Sequence, residues 1–144
     1  LIDRFEGKFR WLSNFYPCDV PYEGLIYPSS EHAFVAAKTL DQSLRLKIQE
    51  IETPGWVKKF GRNLELRPNW ESIRIAEMKK IVTAKFDYNP WLKDKLLDTA
   101  PHELVEGNYW NDRFWGKDLA GYGENNLGKI LMEIRDVWLV ERTT

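Results

Sequence analysis

Glu31 and Lys38 carry opposite charges and fall within one predicted helix, which begins after Pro28. Ser29 or Ser30 can cap the free N–H groups at its start. A spacing of seven residues places the two charges on one helix face, about 10 Å apart along the axis. A carboxylate and an ammonium group beside apolar side chains suit a ligand that carries an electron-poor carbon and a phosphate. The alternative is an amphipathic helix whose charged side chains are solvated.

A second group of residues able to do chemistry lies between positions 106 and 116, where the sequence has neither a helical nor a strand period. Long irregular connections in compact domains are usually functional. This segment carries the carboxylates of Glu106 and Asp112. Its Trp115 can stack on a base, and Asp112 can hold a ribose hydroxyl or a water molecule. The alternative is a loop pinned by aromatic packing, in which Asp112 pairs with Arg113 or caps a turn.

Two shorter stretches add polar groups that can bind a ligand. Asn14 lies in a turn-forming segment before Pro17, and its amide can either stabilise the turn or bond a ligand. Lys58, Lys59 and Arg62 place three cations within five residues, which suits a phosphate. A solvated surface cluster is the alternative for these cations.

The elements that must position these residues are mostly helices. Helical patterns begin after Pro28, at Asp41 or Ser43, at Thr53-Pro54, at Asn69, at Asn89-Pro90 and at Asn125 or Asn126. Residues 2–27 contain short, aromatic, extended pieces, and residues 102–106 alternate enough for one strand. The sequence therefore predicts an α+β fold: a single, mainly helical domain over residues 1–144, with a small sheet built from 2–27 and 102–106.

Composition limits the functional classes. The chain has 144 residues, a net charge of −1 and 14% aromatic residues, which indicates one globular domain with no global attraction to nucleic acid or to an anionic membrane. Its only cysteine, Cys18, excludes an internal disulfide and a cysteine-based zinc site. We expect a cytoplasmic protein, because a single thiol fits a reducing compartment and no signal peptide or apolar run of membrane length occurs. Its oligomeric state is left open.

Short motifs that follow one another along the chain resemble those of a known family. They are Leu12-Ser-Asn-Phe-Tyr-Pro, Tyr27-Pro-Ser-Ser-Glu-His-Ala-Phe, Lys38, Gly61-Arg62, Arg67-x-x-Trp70, Met78, Lys85-Phe86, Glu106, Asp112-x-x-Trp115-Gly116 and Asn126-Leu-Gly-Lys-x-Leu-Met-x-Ile-Arg135. Over nearly the whole chain they resemble the NADAR family, the YbiA-like N-glycosidases. The resemblance implies hydrolysis of N-glycosidic bonds. It also implies two substrate classes, namely early phosphorylated intermediates of riboflavin biosynthesis and ADP-ribose attached to guanine in DNA or RNA.

The resemblance also implies roles for individual residues. It makes Glu31 and Asp112 the catalytic carboxylates and Trp115 a substrate-binding residue, and we expect these three to converge on one cleft. Four further matched positions are expected around the substrate: Asn14, Lys38, Arg62 and Glu106. One departure is Gly107-Asn108, where the family pattern leads us to expect small residues such as Ala-Ser, and Tyr109-Trp110 lengthens the loop. The departure leaves the substrate open.

The expected reaction needs no metal and no cofactor, because a carboxylate can stabilise a ribosyl cation and activate water. Which carboxylate is the base, and whether a covalent intermediate forms, stays open. Two other functions remain at this point. One is a non-catalytic module that binds ADP-ribose or a nucleotide, and the other is an accessory domain that binds nucleic acid, which the low net charge disfavours.

Overall fold

A computed structural model describes residues 1–143 of the chain. Its contacts divide the chain into two compact units, one formed by residues 14–89 and the other by residues 1–13 together with the chain from Pro90 onward. The elements are a 3-10 helix, Gly7–Leu12, then β1 (Val20–Tyr22), β2 (Leu25–Tyr27), α1 (Ser30–Ala37), α2 (Gln42–Gln49), α3 (Pro54–Gly61), α4 (Trp70–Tyr88), α5 (Pro90–Asp98) and α6 (Asn126–Thr143).

The unit of residues 14–89 is built around α1. Strands β1 and β2 form an antiparallel hairpin in which Val20 faces Tyr27, and its turn places Glu23 and Gly24 at positive φ. Helix α1 packs against α2, α3 and α4 as well as the hairpin. Because α1 is surrounded in this way, seven of its eight residues are buried, and its alanines allow the neighbouring helices to approach closely.

The other unit pairs α5 with α6. The buried leucines of α5 are Leu92, Leu96 and Leu97, and α6 contributes Leu127, Ile130, Leu131 and Ile134. An isolated parallel bridge joins Ile2 to Leu104, and a second joins Gly107 to Lys117. This second bridge closes the segment of residues 106–116 into a loop.

The predicted fold class is confirmed, and one part of its sheet is wrong. The only ladder among residues 1–143 is the hairpin at positions 20–27. Residues 102–106 instead make a single bridge, in which Leu104 pairs with Ile2. Pairing with one residue is too short to form a strand. The six predicted helices are confirmed, with Ser29, Asp41 and Thr53 as side-chain caps of the first three. The single-domain prediction stays a prediction.

The buried face of α4 differs from the predicted one. The sequence pattern favoured Ala76 and Ala84 together with Ile73 and Ile81, whereas Ala76 is exposed. The buried positions are Trp70, Met78, Ile81, Val82, Lys85 and Phe86. The difference arises because α4 buries Lys85. A pattern of apolar residues assigns every charged residue to the solvent-facing side of a helix.

No helix in the described part of the chain has both the length and the apolarity to cross a membrane. Within residues 1–143 there is also no group of three or more His, Cys, Asp and Glu side chains placed to hold a metal ion.

Candidate active site

Glu31 lies in the first turn of α1, where the backbone on both sides of it is held. Ser29 Oγ caps the helix by accepting a hydrogen bond from the His32 N–H at 3.1 Å. The Glu31 N–H donates to the Asn14 carbonyl at 3.0 Å, and the Asn14 side chain contacts Met78 Sδ at 3.5 Å. Glu31 is half-buried. A carboxylate at a helix N-terminus is stabilised as the anion by the helix dipole.

A cluster of cations surrounds the other end of α1. Lys38 is the C-cap of that helix, and Arg62 is the C-cap of α3. The two helices approach closely at Gly61, where an added Cβ would lie 3.0 Å from Val35 Cγ2 and 3.6 Å from Lys38 Nζ. A larger side chain at Gly61 would therefore press on Val35 of α1.

The pKa of Lys38 responds both to these cations and to the Glu31 carboxylate. Burial lowers the pKa of Lys38, the charge of Glu31 raises it, and the charges of Lys58 and Arg62 lower it further. Glu31 is thus the negative charge, and Lys58 and Arg62 the positive charges, that act on this ammonium group. The positive charges of Lys58 and Arg62 thus repel that of Lys38, and a bound phosphate would relieve this repulsion. We define Lys38, Lys58 and Arg62 as the cation cluster.

Two aromatic rings on the same unit lie beneath lysines. Lys58 Nζ is 5.7 Å from the centre of the Phe15 ring, and Lys59 Nζ is 5.2 Å from a Trp56 ring. Trp56 is 62% exposed. An exposed ring with a cation above it offers a face for stacking beside a charge for an anion.

The loop 106–116 is organised by a buried amide, Asn108. Its Nδ2 donates to Glu106 Oε2 at 3.0 Å and to the Asp112 carbonyl at 3.0 Å. Its Oδ1 accepts from the Asp112 N–H at 2.9 Å. Asn108 is 2% exposed, so these bonds form in a low-dielectric setting where each partner matters. One side chain therefore holds both carboxylate-bearing residues in register.

Asp112 caps the turn that carries Trp115. Its Oδ1 accepts from the N–H groups of Phe114 at 3.1 Å and Trp115 at 2.9 Å. The Phe114 and Trp115 rings meet edge to face with their centres 4.8 Å apart. Arg113 pairs with Asp118 at 2.8 Å, so of the two structural alternatives for Asp112 the turn cap is the observed one. A turn cap on one oxygen leaves the other carboxylate oxygen for chemistry.

The N-terminus of α6 anchors the end of this loop. The Leu127 N–H donates to the Trp115 carbonyl at 3.0 Å, and the Asn126 N–H donates to the Phe114 carbonyl at 3.2 Å. The Asn125 side chain bridges the two ends of the segment, since it accepts from the Glu106 N–H and donates to the Leu104 carbonyl, both at 3.0 Å. The N–H groups of Asn126 and Leu127 at the start of α6 are therefore bonded within the protein.

The predicted site residues fall in two sets. One unit holds Asn14, Glu31, Lys38 and Arg62, and the other holds Glu106, Asp112 and Trp115. Within the first, Lys38 is the residue whose pKa is shifted both by the charge of Glu31 and by the charges of Lys58 and Arg62. Within the second, Asn108 links Glu106 to Asp112. The convergence of Glu31 with Asp112 and Trp115 stays a prediction.

Sequence reasoning missed two amides, Asn108 and Asn125. Asn108 was noted only as a departure from the expected pattern, and Asn125 only as a helix start. The available signal was the spacing, because an amide that lies between two carboxylates in a loop without periodicity can bond to both.

A family model for the NADAR domain matches residues 3–138. The chain belongs to the NADAR family. Among its NADAR relatives, a protein of Escherichia coli strain K12 named N-glycosidase YbiA is 39% identical over 132 residues, which are 90% of this chain and 82% of that protein. A Shigella boydii protein of the same name is 40% identical with the same coverage.

Other NADAR relatives are longer proteins with a different name. The riboflavin biosynthesis protein VVA0006 of Vibrio vulnificus is 38% identical over 128 residues, and the match spans 88% of this chain but only 35% of that protein. Among solved structures, the NMR structure of the E. coli protein YbiA has a TM-score of 0.86 and 35% identity, covering 99% of this chain and 89% of that one. The resemblance found in the motifs is thereby confirmed.

Proposed function

We propose that this protein is an N-glycosidase that hydrolyses a ribosyl C–N bond in a phosphorylated substrate. The observation that carries the proposal is the placement of Glu31 in the first turn of α1 and of Lys38 at the end of the same helix, where α3 and its cations come close. A carboxylate in the first turn of α1 and a cluster of cations from the ends of α1 and α3 match the two charged parts of such a substrate. The names of the NADAR relatives support the same reaction type.

The reaction breaks the bond between the anomeric carbon and a nitrogen and adds water across it. The electron pair of that bond leaves with the nitrogen, which takes a proton, and the anomeric carbon takes a hydroxyl. Positive charge develops on the ring oxygen and the anomeric carbon during the step, and a nearby carboxylate opposes it. Glu31 has this role in the proposal. Asp112 is the second carboxylate, and Trp115 stacks on the departing base.

The cation cluster would hold the substrate's phosphate. Lys38→Met should then raise KM for a phosphorylated substrate about tenfold or more, because a charge-assisted hydrogen bond is lost. Lys47→Met on α2 is the matched control, since Lys47 is an exposed lysine of the same unit. Equal KM values for the Lys38→Met and Lys47→Met variants would argue against phosphate binding by the cluster.

Two substrates are compatible with this chemistry. The first is a phosphoribosylamino-pyrimidine intermediate, which the riboflavin biosynthesis names of longer relatives favour. The second is ADP-ribose on guanine in DNA or RNA. The exposed Trp56 ring with Lys59 above it favours the second, since a flanking base can stack there while its phosphate meets the lysine.

A direct competition between the two substrates tests the proposal. The protein is incubated with the pyrimidine intermediate and with an ADP-ribosylated guanine oligonucleotide, and the products are identified by mass. Release of a free ribosyl product from either supports the N-glycosidase. Activity that persists in a chelator fits the proposed metal-independent mechanism, whereas activity lost with chelator and restored by a divalent ion contradicts it.

A non-catalytic ADP-ribose or nucleotide-binding module is the alternative. It would bind ADP-ribose without releasing product, and Glu31→Gln would leave that binding nearly unchanged. Saturable binding of ADP-ribose with no product from either substrate would show that the protein is such a binding module and not an N-glycosidase.

A further inference from the structure

The turn that carries Glu31 is fixed by a buried chain of hydrogen bonds through His32. Ser29 Oγ lies 2.6 Å from His32 Nδ1, and His32 Nε2 lies 2.7 Å from the Ile51 carbonyl. Ser29 is fully buried and His32 is 1% exposed. We call this chain of bonds, Ser29–His32–Ile51, the histidine clamp.

Chemistry assigns the protons of the histidine clamp. A carbonyl oxygen can only accept, so His32 Nε2 must carry the hydrogen that reaches Ile51. In a neutral ring Nδ1 is then an acceptor, and the Ser29 hydroxyl donates to it. The same hydroxyl oxygen accepts from the His32 backbone N–H at 3.1 Å. Ser29 thus bonds both the ring and the backbone of the residue that follows Glu31.

The clamp reaches from the carboxylate to the segment that leads into the cations. Ile51 lies between α2 and α3, two residues before Thr53, which caps α3. Helix α3 carries Lys58 and ends beside Arg62. On the other side, the Glu31 N–H is held by the Asn14 carbonyl. The peptide units on both sides of Glu31 are therefore tied to neighbouring segments.

We infer that His32 is a positioning residue for the reaction, which holds the Glu31 carboxylate at a fixed place relative to the cation cluster. The inference rests on the proposed function. A misplacement of about 1 Å at a reacting group can cost on the order of a hundredfold in rate. A substrate held by its phosphate would still bind when Glu31 is displaced, so the loss should fall on turnover.

The test measures kcat and KM of His32→Ala and His32→Gln on the substrate that the competition experiment identifies. His32→Ala removes both bonds of the ring and should lower kcat about tenfold to a hundredfold with KM changed less than about threefold. A glutamine amide can still donate to the Ile51 carbonyl, so His32→Gln should recover part of the loss. A loss confined to KM, or no loss in a folded His32→Ala protein, would overturn the inference.

A double-mutant cycle separates positioning from general damage. If His32 acts through Glu31, adding His32→Ala to Glu31→Gln should lower kcat no further. Equal losses in the two backgrounds would show that His32 acts by another route and overturn the inference. Full turnover of Glu31→Gln alone would instead refute the role of Glu31 in the proposed function, so the two failures are distinguishable.

Ser29 provides a second variant if His32→Ala does not fold. Ser29→Ala removes the bonds to the ring and the backbone of His32 and should lower kcat in the same way. Ser30→Ala is the matched control, because Ser30 is equally buried and its Oγ has no hydrogen-bond partner within residues 1–143. Equal kcat values for the two serine variants would contradict the clamp.

A spectroscopic measurement tests the clamp without activity. The ring nitrogen resonances of His32 should report the Nε2–H tautomer in the wild-type protein at neutral pH. Observation of the Nδ1–H tautomer would overturn the hydrogen-bond assignment on which the inference depends.

Discussion

At the scale of single residues, the candidate site is a set of charged side chains held by neutral ones. Ser29 fixes the turn of Glu31, and Asn108 fixes the loop of Asp112. The charged residues Glu31 and Asp112 could be proposed from the sequence, because a carboxylate can stabilise a ribosyl cation. The neutral supports were harder to predict, since a serine or an asparagine in a turn has many possible partners and only the folded structure selects one.

Glu31→Gln should lower turnover by at least about a hundredfold, which is typical for a catalytic acid or base. The substitution removes the charge that opposes the developing cation, and so it acts on the transition state more than on substrate binding. Folding should be nearly unchanged, because a first-turn glutamate adds only about 0.3–1 kcal/mol to its helix. Turnover and the thermal midpoint are measured together. Full turnover with a much lower midpoint would make Glu31 a structural residue.

Asp112 allows its catalytic and structural parts to be separated. Asp112→Asn keeps an Oδ1 that can accept from the Phe114 and Trp115 N–H groups, whereas Asp112→Ala loses that cap. We expect Asp112→Asn to keep the thermal midpoint within a few degrees while turnover falls about a hundredfold. Asp112→Ala should lose both turnover and about 1 kcal/mol of stability. Wild-type turnover of Asp112→Asn would show that the only role of Asp112 is to cap the turn.

At the scale of elements, the helices were predictable and the buried polar groups were not. Caps such as Asp41 and Thr53 have sequence signatures, and the helices start where those signatures occur. The predicted buried face of α4 was wrong because Lys85, which is 1% exposed, lies in the observed one. Such burial depends on what packs around the helix, and periodicity carries no information about that.

Lys85 should make stability depend on alkaline pH. Burial lowers its pKa to about 8 from an ordinary 10.5, and the charge of Cys18 partly opposes this. Between these values the unfolded chain binds more protons than the folded one, so stability rises with pH. Relative to Lys85→Met, the wild-type protein should gain on the order of 3 kcal/mol from pH 8 to 10.5.

Urea unfolding of both proteins, carried out in a Cys18→Ala background to remove the thiol's own titration, measures the difference that Lys85 makes. A difference that is constant across the range would mean that the lysine titrates at its ordinary pKa.

His32 should make stability depend on acidic pH. Burial lowers its pKa below the ordinary 6.5, and the hydrogen bond to Ile51 opposes this only in part. The unfolded chain then binds the extra proton first, so the stabilisation is complete above about pH 6.5 and is lost as the pH falls through the folded-state pKa. The free energy of unfolding of wild type minus that of His32→Gln should therefore shrink from pH 7.5 to pH 5. A difference that grows toward acidic pH would mean that folding raises the pKa of His32 and would contradict the prediction.

At the scale of the whole molecule, a net charge of −1 hides a local concentration of positive charge on α3. The fold class could be predicted because six helical patterns outnumber the strand patterns, and family membership because the motifs span the chain. The division of the chain into two compact units was not predictable, since no linker or change of composition marks either boundary. The unit that contains both chain ends forms through contacts between distant segments.

Binding of unmodified single-stranded DNA should be weak and only mildly dependent on salt. Lys58, Lys59 and Arg62 can neutralise about three phosphates, which gives a slope near −2 for log affinity against log salt concentration. Fluorescence anisotropy over a salt series measures it. Lys59→Gln should make the slope shallower by about 0.7, with Lys47→Gln as the control. A slope steeper than about −5 would require a different and larger binding surface.

Gly116 constrains how the loop of this chain can diverge. A Cβ there would overlap Glu106, and one at Gly107 would overlap the Asp3 carbonyl. Between these two positions the rings of Tyr109 and Trp110 are 73% and 47% exposed. Replacements are therefore tolerated more readily at these two exposed positions than at either glycine. A library randomised at Tyr109 and Trp110, with Gly107 and Gly116 kept, would therefore vary the exposed side chains of the loop without placing a Cβ where the surrounding atoms leave no room.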